Sequence, residues 1–366
     1  MYIPLMKPDI QEDDILNVLE VLKSGMLVQG KKVEQLENKV CEYLNVKNAI
    51  ALASGTATLH LALVALGIGK GDEVILPSFS FVATANVIEI VGATPVFVDI
   101  DIDTFNIDVA KIENAITYKT KAIMPVHEFG LPCDIGVILK LAKKYGIAVI
   151  EDAACALGAK EKSKFVGTLG DLGSFSFHPR KAITSGEGGI ITTNNNDLAK
   201  KIRALRNHGI EIQNNKIEFI VAGFNYRMTD IQAALLIPQL NRFEMILENK
   251  NEIAQHYLSK IKNSNIGLPK IENSKRHTWQ TFHVLLKNNL DQEKVINYLK
   301  EMNIGVNYGA QCIPQTQFYK NKYNLNVEKD FPNSLKAFQK GLALPLYNLL
   351  SENEINYIIN TVNNIK

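Results

Sequence analysis

Gly173-Ser-Phe-Ser-Phe-His-Pro-Arg-Lys181-Ala-Ile-Thr-Ser-Gly-Glu-Gly-Gly189 carries the pattern from which the fold follows. Its first part alternates: Phe175 and Phe177 point one way and Ser174 and Ser176 the other, as in a strand over 174–177. Pro179 breaks that strand, Gly186 to Gly189 close the loop, and the β-branched run Ile190 to Thr193 starts a second strand. Lys181 is thereby held on a loop between two strands. A lysine fixed beside a sheet can, once deprotonated, attack a carbonyl carbon. A loop lysine is more commonly a solvated charge, so its setting must come from the rest of the chain.

Upstream, short apolar runs alternate with amphipathic segments. Strands are expected at Ala49–Leu52, Val74–Leu76, Pro95–Val98, Ala122–Val126 and Ile147–Ile150, the last running into Glu151-Asp152. Helices are expected at Asp9–Lys23, Lys32–Leu44, Thr56–Leu66, Phe81–Val91, Val109–Ile116 and Ile135–Tyr145. This alternation predicts βαβ units and a mostly parallel, buried sheet, an α/β fold. Ligands gather at the carboxyl ends of such strands, which selects Ser54-Gly55-Thr56, Ser78 to Phe81, His127 and Asp152. Downstream, a helix at Leu198–Asn207 leads to a polar loop around Gln213 to Lys216. A helix from Met228 to Leu240 reaches about Lys250. The composition then turns Asn- and Lys-rich, with a strand at Phe282–Leu286 and helices at Gln292–Met302, Ser334–Leu342 and Glu352–Ile365. The expected division is a large domain, 1–245, and a small C-terminal α+β domain, 246–366.

Composition narrows the function classes. Among 366 residues, Lys+Arg 40 against Asp+Glu 38 leaves a net charge of +2, too even for a nucleic-acid or anionic-membrane partner. Cys41, Cys133, Cys155 and Cys312 are too scattered for a disulfide framework or a zinc site, and no His cluster offers another metal centre. The opening residues carry no long apolar run and no stretch would span a bilayer, which predicts a cytoplasmic protein.

On the selected rim the residue types form a set. Asp152 ends a buried strand, where a helix-capping aspartate is the commoner reading and a fixed charge facing a ligand the functional one. Ser54, Gly55 and Thr56 join a strand to a helix start, a ready anion site, and Ser176 adds a hydroxyl. Phe81 offers a flat ring that could equally be core. Together they match what pyridoxal phosphate needs: an amine, a carboxylate for the ring nitrogen, donors for the phosphate and a planar neighbour.

At this level the chain resembles the DegT/StrS sugar-nucleotide aminotransferases, dimeric enzymes of the aspartate-aminotransferase (type I) fold. The resemblance covers nearly the whole chain. It rests on Gly25-Met-Leu-Val-Gln-Gly30, Ala53-Ser-Gly-Thr-Ala-Thr-Leu59, Pro77-Ser-Phe-Ser-Phe-Val-Ala-Thr84, Glu151-Asp-Ala-Ala154, Ser176-Phe-His-Pro-Arg-Lys181, Gly186-Glu-Gly-Gly189, Gly223-Phe-Asn-Tyr-Arg-Met-Thr-Asp230 and Leu344-Pro-Leu-Tyr347. It implies pyridoxal 5'-phosphate held as a Schiff base by Lys181 and paired with Asp152. Ser54, Gly55, Thr56 and Ser176 would hold the phosphate, with Phe81 on the ring. Asn225 would reach the phosphate of the neighbouring subunit in a homodimer with two composite sites. Polar or aromatic residues near the expected cleft or in the small domain are candidate substrate contacts, His178 and Tyr308 before His127 and Trp279, and no metal is implied. Glutamate would supply the amino group and a keto-sugar nucleotide would receive it. The His178-Pro-x-Lys181-x-Ile-Thr stretch with Gly186-Glu-Gly-Gly189 resembles members aminating C-4 of 4-keto-6-deoxy sugars. The alternatives are amination at C-3, amination of a cyclitol ketone, and a non-catalytic regulatory protein; Lys181 speaks against the related dehydratases, which carry histidine there. Two residues depart from the pattern. Cys155 stands where glutamine or histidine is common, and a thiol is the weaker hydrogen-bond partner; Arg180 is also less usual.

Overall fold

The computed structural model describes residues 2–214, 216–272 and 274–366. A seven-stranded sheet runs in the order Asn48–Leu52, Gly189–Thr193, Leu172–Ser176, Ala148–Asp152, Thr120–Ile123, Glu73–Pro77, Thr94–Val98. Gly189–Thr193 is antiparallel to both its neighbours, and every other pair is parallel. The carboxyl ends of the parallel strands therefore share one rim. The antiparallel strand starts on that same rim, with Gly189 opposite both Ser176 and Leu52. The loop bearing Lys181 leaves and re-enters the sheet at this edge.

Helices cover both faces because their apolar positions recur at helical spacing. In Lys31–Leu44 the residues Val33, Leu36, Val40 and Leu44 are all buried, each contributing about 1.5–3 kcal/mol of burial. Gly55–Ala65 is buried on nearly every side; it lies between the sheet and the helices Ala83–Ile90 and Asn196–Arg206. An all-apolar helix has no other stable place.

A separate apolar cluster gathers Tyr257, Trp279, Phe282, Val284, Leu299, Leu342, Ile358 and Val362. It is built on a three-stranded antiparallel sheet of Ile266–Gly267, Phe282–Leu286 and Gly341–Leu344. Ile3 joins it through a bridge to Ile304. No helix among the described residues is long and apolar enough to cross a membrane.

Three expectations from the sequence need correction. Met228 to Lys250 is two helices, Asp230–Asn241 and Phe243–Lys260. Pro238 lacks the N–H that would bond Ala234, and Asn17 Nδ2 takes that carbonyl at 2.7 Å. At the break, Arg242 spans to Asp14 at 2.8 and 2.6 Å. The polar loop around Gln213 to Lys216 is the tip of a hairpin, Ile210–Gln213 paired with Lys216–Phe219. The helix expected over Ser334–Leu342 is Pro332–Lys340, and Gly341–Leu344 is a strand. Ile190 to Thr193 is the one antiparallel strand of the mostly parallel sheet among the described residues, because it follows its neighbour through a loop with no crossover helix.

Candidate active site

Two adjacent carboxylates end the strand Ala148–Asp152 and face opposite ways. Glu151 is fully satisfied: it accepts from the N–H groups of Gly167, Leu169 and Gly170 at 2.7–2.8 Å and meets His127 Nε2 at 3.0 Å. Burial alone would push its carboxyl up, but these donors hold it below the usual range. His127 Nδ1 accepts the Cys133 N–H at 3.1 Å, so this histidine is a buried structural partner.

Asp152 has fewer partners. It accepts from Thr84 Oγ1 at 2.8 Å and from the Ala154 N–H at 3.2 Å. Burial pushes its carboxyl up, opposed by Thr84, the Ala154 N–H and the charge of Lys181. Thr84, on the helix Ala83–Ile90, orients Asp152; its place in Pro77 to Thr84 was visible in the sequence and its role was not.

Lys181 lies on the loop between the strands Leu172–Ser176 and Gly189–Thr193, its Nζ donating to Cys155 Sγ at 3.1 Å. The loop is anchored elsewhere. Thr184 Oγ1 donates to the Phe177 carbonyl at 2.7 Å, and Gln239 grips Thr184 through its N–H at 2.9 Å and its carbonyl at 2.8 Å. Gln280 donates to the carbonyl of Arg180, whose side chain is exposed. A small cavity under the loop is lined by Ala154, Cys155, Ser176, Lys181, Thr278 and Gln280.

Beside it, Ser54 Oγ caps the helix Gly55–Ala65 by accepting from the Ala57 N–H at 3.1 Å. The N–H groups of Gly55 and Thr56, in the first turn, have no intrahelical acceptor. Glycine is required at two places by close approach: a Cβ on Gly55 would lie 2.8 Å from the Ser176 Cβ, and one on Gly189 would lie 2.6 Å from the Ser54 carbonyl. Bare backbone and the hydroxyls of Ser54 and Ser176 are thus brought close together, at the end of the strand next to that of Asp152.

The remaining expected residues are spread around this patch. Phe81 is 62% exposed, two positions past the buried Phe79. Asn225 is exposed, on a segment bridged to Asn207. His178 is half-buried, accepts the Arg180 N–H through Nδ1 at 3.2 Å, and is shifted to lower pKa by burial and then by Lys181 and Arg180, against the pull of Glu187. Tyr308 packs its edge on Phe338 at 5.2 Å, just before the pairing of Gln311 with Ser80. Trp279 is buried, its Nε1 donating to Asn251 at 3.1 Å, and is a packing residue. Two buried groups escaped the sequence reading. Lys250 has an unpartnered Nζ and is lowered to about 7 by burial. Glu128 has an unpartnered Oε2.

The sequence pattern of the DegT/DnrJ/EryC1/StrS aminotransferase family matches residues 8–363. The chain belongs to that family. Escherichia coli O157:H7 GDP-perosamine synthase is 37% identical over 363 residues, covering 99% of this chain and 98% of its own. The sugar aminotransferase Spr1654 of Streptococcus pneumoniae, in its pyridoxal phosphate form, superimposes with a TM-score of 0.93 at 31% identity, covering 99% of this chain and 98% of that one. PseC of Helicobacter pylori, an aminotransferase involved in pseudoaminic acid biosynthesis, does so with a TM-score of 0.93 at 29% identity, over 99% and 98% of the two chains. The protein is a pyridoxal-phosphate-dependent sugar aminotransferase of the DegT family.

Proposed function

We propose that this aminotransferase moves the amino group of glutamate onto C-4 of a nucleoside-diphosphate-linked 4-keto-6-deoxy sugar, for amino-sugar and surface-polysaccharide synthesis in the cytoplasm. The observation that carries the site assignment is Lys181 Nζ, held over the rim at 3.1 Å from Cys155, with its charge acting on the buried carboxylate of Asp152. The residues fit pyridoxal phosphate. Asp152 is a buried carboxylate whose pKa is raised by burial, and a protonated ring nitrogen beside it would stabilise its charged form. The patch of Ser54, Gly55, Thr56 and Ser176 offers neutral donors of the kind that hold phosphate at a helix start. The exposed face of Phe81 is free to lie against a flat ring.

When bound, the cofactor supplies a ring that accepts electrons as a proton leaves the carbon bearing the amino group. The chain's residues do the rest. Lys181 would hold the cofactor through Nζ and, once displaced from it by the amine of glutamate, its freed Nζ would take the proton from the α-carbon and later return a proton to the sugar carbon. Asp152 stays ionised against the ring nitrogen, and Thr84 fixes its direction. His178 and Tyr308 contact the sugar nucleotide. Asn225 reaches the phosphate of a second copy, which makes the enzyme a homodimer. The exposed apolar side chains Met26, Val28, Ile212, Ile217 and Phe219 support such a partner. The division into parts 1–245 and 246–366 is supported by the separate apolar cluster around Phe282, most of whose residues, though not Ile3, lie in the smaller part.

The C-4 assignment is supported by the His178 to Thr184 stretch with Gly186 to Gly189, and the nucleotide-linked substrate by the relative named GDP-perosamine synthase. The test is a panel of UDP-, dTDP- and GDP-linked 4-keto-6-deoxy sugars with glutamate as donor. One of them is converted to the 4-amino sugar. Turnover only of a C-3 ketone or a cyclitol ketone would overturn the assignment.

A further inference from the structure

Glu128 is a buried carboxyl group that no part of the proposed reaction yet uses. Its backbone belongs to a turn that runs alongside Asp152: the Asp152 N–H donates to the Pro125 carbonyl at 2.9 Å, and the His127 N–H to the Asp152 carbonyl at 3.0 Å. Asn106 clamps the turn, accepting the Glu128 N–H at 2.8 Å and donating to the Leu131 carbonyl at 3.1 Å. Phe129 sits at φ 55, a left-handed conformation costly for an aromatic residue. Its ring stacks on His283 at 4.3 Å. Gly130 closes the turn against Cys155, whose carbonyl would lie 3.0 Å from a Cβ there. Glu128 thus sits in a turn packed against Asp152 and Cys155, 5% exposed, with Oε2 lacking any partner. An orphaned buried oxygen is costly unless something else meets it.

The sheet settles which side of the site this is. Ser176 ends the strand on one side of Asp152's strand, and Glu128 follows the strand on the other side. In pyridoxal phosphate the carbon that takes the lysine is flanked by the phosphate arm on one side and the phenolic oxygen on the other. With the arm toward Gly55, Thr56 and Ser176, the phenolic oxygen faces the Glu128 side. We propose that Glu128 is a cofactor-binding residue, its carboxylic acid donating a hydrogen bond to the phenolic oxygen of pyridoxal phosphate and taking over a contact that the Cys155 thiol makes only weakly. This rests on the assignment of Lys181 and Asp152 as cofactor residues.

The charges around the carboxyl agree with a donor. Burial, and then Asp152, push Glu128 up to about 8, against Lys181, Ser80 and the Phe129 N–H. The Cys155 thiol, raised first by burial, also feels Lys181, Glu128 and Asp152. The buried Lys250 is within the electrostatic reach of Cys155 and Lys181. His127, in the same turn, is committed to Glu151 at 3.0 Å. Burial and the neighbouring carboxylate thus favour the O–H form of Glu128, the form that can donate.

The test is a pH titration of the visible absorption of the cofactor-loaded enzyme, for wild type, Glu128→Leu and Glu128→Gln. Each protein is also reduced with borohydride and the modified peptide mapped. A donor to the phenolic oxygen stabilises its negative charge and lowers the pH midpoint of the band. Glu128→Leu raises that midpoint by about one pH unit and loosens cofactor binding by roughly tenfold. Glu128→Gln keeps a donor and leaves the midpoint near that of wild type. An unchanged midpoint in Glu128→Leu with Lys181 still labelled overturns the proposal, as does a shift of about one unit in Glu128→Gln, which alone decides if the leucine variant fails to fold. Labelling of a lysine other than Lys181 in the wild type overturns instead the site assignment beneath it.

Discussion

Glu151 and Asp152 are neighbours on one buried strand, and the chain treats them in opposite ways. Glu151 faces His127 and three backbone N–H groups, and its carboxyl lies below the ordinary range despite burial. Asp152 faces the rim with Thr84 and one N–H, and burial lifts its carboxyl above that range. A charge supplied with all its partners holds structure together. A charge supplied with too few waits for a partner that arrives from outside, which is how perturbed groups come to mark functional sites.

The largest effect bears on the amine that faces Asp152. Lys181→Ala lowers glutamate-dependent formation of the amino sugar by at least roughly 10⁴-fold, the upper reach of a single proton carrier. Borohydride then no longer fixes the cofactor to that peptide, while the melting temperature stays near wild type. Melting that collapses with the activity would place Lys181 among the structural residues.

The contrast between the two carboxylates is next. Glu151→Gln leaves a buried network broken and costs about 3–5 kcal/mol, read by denaturant unfolding. Asp152→Asn costs activity by roughly 10²-fold or more without lowering the stability of the cofactor-free chain at neutral pH. The pH dependence has opposite signs. Glu151, depressed below 4.5, contributes stability that is present above 4.5 and is lost as pH falls through its folded value. Asp152, raised above 3.8, contributes stability present below 3.8 and lost as pH rises through its folded value. Equal losses of stability in the two variants would erase the contrast. The smallest effect is at the exposed ring. Phe81→Ala forfeits about 0.5–1.5 kcal/mol of stacking, a rise in the cofactor dissociation constant of roughly two- to tenfold, and leaves unfolding unchanged.

Much of this was legible in the sequence because period and punctuation are local. The strand run that ends in Glu151-Asp152, the break at Pro179 and the glycines after Ser185 follow from residues next to one another. The hairpin Ile210–Gln213 with Lys216–Phe219 also carried a signal, since isoleucine and phenylalanine alternate there with charged and polar residues. It was obscured because both strands lie in an exposed, polar-looking segment. The helix break at Arg242 was not legible, because Asp14, which receives that guanidinium, is remote in sequence.

Residue type and local order alone say which side chains could carry this chemistry, and that Lys181, Asp152 and the Ser54 to Thr56 turn fall at loops beside strand ends. How His127 and Glu128, adjacent in one turn, divide their roles depends on packing between distant parts of the chain. His127 turns to Glu151, while Glu128 is held beside Asp152 with an oxygen unpartnered. Which way a side chain turns past a strand end depends on the neighbouring strands and on the left-handed step at Phe129. That step is stabilised by an aromatic stack on His283, from a distant part of the chain.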